Sequence, residues 1–345
     1  MKKILVVFTG GTIGSSISEH TINVAAENQF RLLTLYRERF TRAANIEFAH
    51  IAPVELLSEN LSPEVWVQII NGIDAVDKRN LAGIVVTHGT DTLAFSACAL
   101  SYYYAGLNIP LVLVSSDYPL TDVRANGLDN FNAALAFITD RTELGVFVAY
   151  RNQGGHTLIH IGSRLASCLQ LSSDFISVQS KAYLQFTDDQ FVVLNSPAHN
   201  PTKNKQPWQL KAKFSTRVLL IKPYPGLNYA TFNLLGVDAV LHDCYHSGTA
   251  CVSDAWGEQY SLLSFINRCK QQCISVYLAP AVYSPDNYST THALTALGAE
   301  MMWNMSLEAA YVKLLLAYGN FEGTEVRRIF IQQNIANEIV EFDYS

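Results

Sequence analysis

The chain has 345 residues, of which 49% are apolar and 16% charged, and its formal net charge is −6. This length exceeds what one hydrophobic core usually holds, so we expect two domains. The composition excludes a disordered chain. Because no cluster of Lys and Arg stands out, we expect neither nucleic acid nor a membrane surface as a partner.

Short apolar runs alternate with amphipathic stretches in the first 150 residues. Apolar strands separated by helices are typical of a parallel sheet covered on both faces, so the predicted fold class is α/β. A Ser62 cap and Pro63 at the first helical position mark one helix start. The predicted strands are 4–8, 46–51, 81–87, 110–115 and 144–150, and the other helices are 25–43, 92–105 and 129–138.

The pattern breaks at residues 197–207, which are polar and rich in proline. Such a stretch indicates a linker or a long loop. We therefore predict an N-terminal domain over 1–196, a linker over 197–214 and a C-terminal α/β domain over 215–345. In the last part, strands are expected at 217–222, 239–242 and 275–279, and helices at 232–235, 260–271 and 307–318.

The first apolar run, at residues 4–8, is too short for a signal peptide and indicates a buried strand. No stretch approaches the roughly 18 apolar residues of a membrane-spanning helix. The six cysteines form no CxxC pair, so buried reduced thiols in a cytoplasmic protein are expected rather than a zinc site or disulfides.

A glycine-rich motif, Thr9-Gly10-Gly11-Thr12-Ile13-Gly14, directly follows the first predicted strand. Paired glycines let a ligand approach the backbone at a strand end, where open α/β sheets place their sites. A dinucleotide phosphate loop is an alternative, but the spacing does not fit GxGxxG. A purely structural glycine turn is the other alternative.

A second motif, Thr87-His88-Gly89-Thr90-Asp91-Thr92, lies between a strand and a helix. Taken alone, its Thr and Asp side chains are explained by helix capping. Two strand-end loops that each present Thr beside Gly favour a shared cleft. A hydroxyl nucleophile needs an adjacent base, which a carboxylate can supply or organise.

A third polar segment, Ser58-Glu59-Asn60, follows the predicted strand at 46–51. An isolated Glu is usually a solvated surface charge. At the end of a strand, Glu59 could instead face a ligand.

Together these motifs resemble the bacterial-type L-asparaginase family, and the missing signal peptide is similar to its cytoplasmic, type I branch. The resemblance extends to Pro119-Leu120, Arg124, Gly127 and residues 288–294. It implies a large N-terminal and a smaller C-terminal domain in a homodimer or homotetramer, with sites near a subunit boundary. It also implies hydrolysis of L-asparagine or a related small amide to the acid and ammonia, without metal or cofactor.

Residue roles follow from the resemblance at the matching positions. Thr12 matches the threonine that attacks the amide carbon, and Thr90 and Asp91 match the second threonine and its carboxylate partner. Ser58 and Glu59 match the pair that holds the α-carboxylate and α-ammonium groups of the substrate.

Two positions depart from the family pattern. Ile22 stands where the family has a loop tyrosine, and Ser167 stands three residues after Gly162-Ser163-Arg164, where the family has a lysine. Three hypotheses follow: an amidohydrolase, a protein that binds an amino acid with weak or no turnover, and an amidohydrolase with a changed substrate. A component of a tRNA amidotransferase is disfavoured, because such chains usually carry an extra N-terminal domain and this chain lacks basic excess.

Overall fold

The computed structural model describes residues 1–11, 13, 15–18, 21–24, 26–196, 208–284, 286 and 288–341, and between residues 15 and 30 it describes the backbone alone. The chain divides into two compact units, Met1–Ala212 with Ile335–Asn337, and Lys213–Asn334 with Glu338–Ser345. Both units alternate helices with parallel strands, which confirms the predicted α/β class. The domain bounds at 196 and 215 stay a prediction, since residues 197–207 lie outside the described part.

The first unit is built on an eight-stranded sheet in the described residues, with the order β10-β9-β8-β7-β6-β5-β1-β4. Neighbours from β4 to β7 run parallel, whereas β8, β9 and β10 are added antiparallel. A separate hairpin, β2 (Ser15–Ser18) and β3 (Thr21–Val24), lies between β1 and the first helix. The sheet strands are β1 (Lys2–Val7), β4 (Ile46–Ile51), β5 (Gly83–Thr87), β6 (Pro110–Val114), β7 (Gly145–Arg151), β8 (Thr157–Ile161), β9 (Leu184–Thr187) and β10 (Gln190–Val193).

Helices cover both faces of this sheet. They are α1 (Ala26–Arg39), α2 (Pro63–Asp74), α3 (Leu93–Tyr103) and α4 (Gly127–Asp140). Ile4 and Val6 of β1 belong to the core cluster of α1 and α4, while the intervening Leu5 does not. Because alternate strand residues point to opposite faces, α1 and α4 lie on one face, and α2 and α3, which contact each other, cover the other.

The predicted bounds agree with these elements to within a few residues, and β4 agrees at both ends. Pro63 does begin α2, but the Ser62 hydroxyl makes no capping hydrogen bond. Ser62 therefore occupies the predicted capping position, but the hydrogen bond expected from a cap is absent.

The second unit carries a parallel four-stranded sheet in the order β11-β12-β13-β14. The helix predicted at 232–235 is wrong. Just before this range, the Asn228 side chain accepts a hydrogen bond from the amide of Ala230 and caps a single 3-10 turn, Tyr229–Thr231. The elements are β11 (Val218–Ile221), β12 (Ala239–Asp243), α5 (Leu262–Gln271), β13 (Ser275–Ala281), α6 (Ser289–Ala296), β14 (Glu300–Trp303), α7 (Leu307–Asn320) and α8 (Thr324–Gln332).

The expectation that the cysteines are buried holds only in part. Cys98, Cys244 and Cys269 are buried, but Cys251 and Cys273 are exposed. Within the described residues, the helices are too short or too polar to cross a bilayer.

Candidate active site

The two threonine–glycine motifs meet at the carboxyl ends of the neighbouring parallel strands β1 and β5. The Thr9 hydroxyl donates a hydrogen bond to the Thr87 carbonyl at 2.6 Å, and the Thr9 amide lies 3.4 Å from the Thr87 hydroxyl. Both side chains are buried. These two threonines therefore join the loops to each other rather than face a ligand.

The paired glycines are required by two close approaches of the backbone, Gly11 to the loop that carries Gly89 and Gly10 to Leu56. Gly10 and Gly11 have φ angles of +94° and +77°, which side chains other than glycine rarely adopt. A Cβ atom on Gly11 would lie 2.5 Å from the amide nitrogen of Gly89, and one on Gly10 would overlap the Leu56 carbonyl oxygen. The same two glycines therefore make the structural turn and allow the close approach of the backbone segments.

The third segment, the 3-10 turn Ser58–Asn60, joins the same place. The buried Ser58 hydroxyl donates to Asp91 Oδ2 at 3.0 Å and accepts from the Asp91 amide at 3.3 Å. The Thr92 hydroxyl donates to the Ser58 carbonyl at 2.9 Å. A Cβ atom on Gly89 would overlap the Ser58 hydroxyl, so Gly89 too must lack a side chain.

The predicted site residues are placed as follows. Ser58 and Asp91 are in contact, and Thr90, which is half-buried, precedes Asp91 in the same loop. Glu59 is exposed and makes no hydrogen bond or ion pair with another described residue. Thr12, the predicted nucleophile, lies outside the described residues. The roles of all five stay predictions.

A buried chain of hydrogen bonds connects the second motif, Thr87–Thr92, to the helices α2 and α3. His88 Nδ1 lies 2.8 Å from the Gly89 carbonyl oxygen, which only accepts, so Nδ1 carries the proton. Burial lowers the pKa of His88, so the ring is neutral and Nε2 accepts from the Ser96 hydroxyl at 2.8 Å. The Ser96 oxygen in turn accepts from Trp66 Nε1 at 2.9 Å.

The sequence motifs predict no role for His88, Trp66 or Ser96. A polar Ser96 inside a helix whose other residues are largely apolar and buried was the available signal. The bonds run from α2 through α3 to the loop that carries Thr90 and Asp91. Their evident effect is to fix the Gly89 carbonyl and one imidazole tautomer.

Comparison with known proteins decides the family of this fold and these loops. The family model "Asparaginase, N-terminal" matches residues 3–199. The chain belongs to the asparaginase family. The predicted resemblance is thereby confirmed.

Curated relatives and solved structures of the asparaginase family cover nearly the whole chain. A glutamyl-tRNA(Gln) amidotransferase subunit from Methanopyrus kandleri is 30% identical over 98% of this chain and 75% of its own length. The thermostable L-asparaginase from Thermococcus kodakarensis is 26% identical, with a TM-score of 0.79 over 99% of this chain and all of the other. L-asparaginase I from Vibrio cholerae, at 22% identity and a TM-score of 0.76 over 99% of both chains, is similar in fold.

The two departures from the asparaginase pattern differ in how far the structure describes them. Ile22 lies in β3, but its side chain is outside the described part. Ser167 is half-buried and follows the 3-10 turn Gly162–Arg164. The adjacent Cys168 thiol has a pKa raised to about 11, chiefly by burial and then by the negative charges of Asp91 and Asp174.

The segment that holds Ser167 therefore passes within electrostatic range of Asp91. Across the described residues, the Asp91 carboxylate makes no ion pair with a lysine or arginine. In the same part of the chain, no group of three or more His, Cys, Asp and Glu side chains is arranged to hold a metal ion.

Proposed function

We propose that this asparaginase-family chain hydrolyses the side-chain amide of L-asparagine or a related small amide to the acid and ammonia. In this proposal the Thr12 hydroxyl attacks the amide carbon and loses its proton to a base. The C–N bond breaks, the protonated nitrogen leaves as ammonia, and water then hydrolyses the acyl ester and frees Thr12.

The convergence of three loops carries the proposal. Gly11, the chain neighbour of Thr12, approaches Gly89 so closely that a Cβ atom on Gly11 would lie 2.5 Å from the Gly89 amide nitrogen, and the Asp91 carboxylate accepts a hydrogen bond from Ser58. A carboxylate beside a hydroxyl nucleophile supplies or organises the base. The exposed Glu59 carboxylate is available to a substrate ammonium, because it has no partner among the described residues.

A second candidate is a protein that binds an amino acid with weak or no turnover. Ser167 in place of the family lysine favours it, since the Asp91 carboxylate has no ion pair in the described part of the chain. General acid–base help is typically worth about 10²–10⁴ in rate. Some relatives are subunits of a glutamyl-tRNA(Gln) amidotransferase and not asparaginases. Glutamine should therefore be tested as a substrate beside asparagine.

One ammonia-release assay separates these candidates. It compares native protein, Thr12→Ala and Ser167→Lys on asparagine and glutamine, with the exposed Thr142→Ala as a matched control. We expect Thr12→Ala to abolish release, Thr142→Ala to leave it unchanged and Ser167→Lys to raise it. Release by Thr12→Ala at the native rate would reject Thr12 as nucleophile. Native turnover in the ordinary range of about 1–10³ per second would reject the weak-turnover candidate.

We propose a cytoplasmic homodimer or homotetramer that requires no metal or cofactor and binds a small amide or amino acid. Light scattering on the purified full chain tests the oligomer. Dialysis against a chelator should leave ammonia release unchanged.

A further inference from the structure

The second unit contains a cavity of about 350 Å³ along β14, the edge strand of its sheet. Its distinctive lining residues are three methionines, two aromatic residues and one carboxylate, joined by residues of α8 and of the following segment. They are Tyr277, Glu300, Met301, Met302, Trp303 and Met305. A volume of this size lies at the lower end of the range for small-molecule sites, roughly 300–1,000 Å³.

Glu300 is the charged residue of this lining, and no cationic side chain of the described residues is in contact with it. It is half-buried, and it makes no hydrogen bond or ion pair with another described residue. Burial raises the pKa of Glu300 above its usual value, against the positive charge of Arg328, which lowers it. That guanidinium is itself engaged, because it donates two hydrogen bonds to Glu325 at 3.0 and 3.1 Å.

The rest of the lining selects the kind of molecule that would satisfy Glu300. Methionine thioethers are polarisable and adapt to irregular apolar shapes. Aromatic faces attract organic cations. Burial keeps the Tyr277 phenol neutral by raising its pKa, and its hydroxyl lies 3.3 Å from the Tyr318 hydroxyl. An anion would be repelled by Glu300, and a neutral ligand would leave the carboxylate without a counter-charge.

We propose that this cavity binds a primary organic ammonium ion with an apolar body. The ammonium group pairs with Glu300, and the body lies against the methionines and aromatic residues. The proposal is independent of the amidohydrolase function, because its residues all lie in the second unit and the three active-site loops lie in the first.

The methionines make a direct test possible. The chain has four methionines, and the three besides the exposed Met1 all line the cavity. In protein labelled at the methionine methyl carbon, titration with phenethylammonium chloride should shift the Met301, Met302 and Met305 signals and leave Met1 unmoved. Shifts confined to Met1, or no shifts at millimolar probe, would overturn the proposal.

Charge selection is tested by calorimetry on the full chain with three probes of similar shape. Phenethylammonium should bind at least about tenfold more tightly than 2-phenylethanol, and 3-phenylpropionate should bind least. Glu300→Gln should weaken ammonium binding about tenfold or more and leave 2-phenylethanol unchanged. Glu258→Gln, which removes an exposed carboxylate of the same unit, should change neither.

Arg328→Ala gives a second variant that keeps the proposal falsifiable. Removal of the competing guanidinium should tighten binding of phenethylammonium. Equal ammonium affinity in native protein and folded Glu300→Gln, or preference for 3-phenylpropionate, would show that Glu300 does not select the ligand. If Glu300→Gln fails to fold, Glu300→Ala takes its place. Unchanged or weaker phenethylammonium binding by Arg328→Ala would also count against the proposal.

Discussion

At the scale of single residues, the Ser96 hydroxyl links Trp66 to His88, and its loss removes the donor from which the buried His88 Nε2 accepts a hydrogen bond. An orphaned buried polar group costs about 1–3 kcal/mol. We therefore expect Ser96→Ala to lower the free energy of unfolding by about that amount, as measured by urea denaturation. The matched control is Ser101→Ala in the same helix, where the hydroxyl donates to the Ala97 carbonyl one turn earlier in that helix. Equal losses in the two variants would contradict the linking role of Ser96.

At the scale of elements, α7 is fixed to the chain that follows α8 by a buried ion pair. Lys313 Nζ lies 2.5 Å from Glu338 Oε1 and also donates to the Gln333 carbonyl, and both charged side chains are fully buried. Breaking such a pair leaves one uncompensated charge and costs about 3–5 kcal/mol, whereas an apolar replacement of both partners is often neutral.

The expected result is that Lys313→Met destabilises the protein by about 3–5 kcal/mol, and that adding Glu338→Leu recovers most of the loss. Thermal and urea unfolding of the two variants and the native chain measure this. A double variant no more stable than Lys313→Met would mean that packing, rather than charge pairing, holds α7 in place.

At the scale of the whole molecule, each unit buries a histidine whose pKa is lowered to about 4. His160 lies in the first unit, and His242 lies in the second, where its Nε2 is 2.9 Å from the Tyr229 hydroxyl. Burial is the main cause in both. In the unfolded chain each pKa returns to about 6.5, so the unfolded state binds more protons between about pH 4 and 6.5.

Stability therefore rises with pH across that window, is complete above about 6.5 and is lost as the pH falls towards 4. Each histidine accounts for roughly 3 kcal/mol of that loss. We expect His160→Gln and His242→Gln to reduce the difference between unfolding free energies at pH 7.5 and 4.5. The exposed His156→Gln should leave it unchanged. An acid loss as large in both buried-site variants as in the native chain would rule out these histidines as its source.

Prediction from sequence succeeded where a few neighbouring residues are enough to specify a strand or a helix start. The apolar strands up to β7 and the start of α2 at Pro63 follow from hydrophobic runs and from the fixed φ of proline. The helix predicted at 232–235 failed because four residues carry too little periodicity to compete with the Asn228 turn. No strand is predicted between residues 157 and 193, although β8, β9 and β10 form there, because short strands at a sheet edge give weak patterns.

By itself the sequence determined the α/β class, the asparaginase family and the three loops from which a site is proposed, because the alternation of strands and helices and the Gly–Thr motifs are local in the chain. The tertiary structure decided which groups meet. The bond between Ser58 and Asp91 spans 33 positions, and the Lys313–Glu338 pair joins a helix to a later segment. Contacts of this kind depend on how elements pack. The spacing of residues in the sequence does not show that Ser96 meets His88 and Trp66, or that Glu300 lines a cavity without an ion pair, because the packing of the elements decides both.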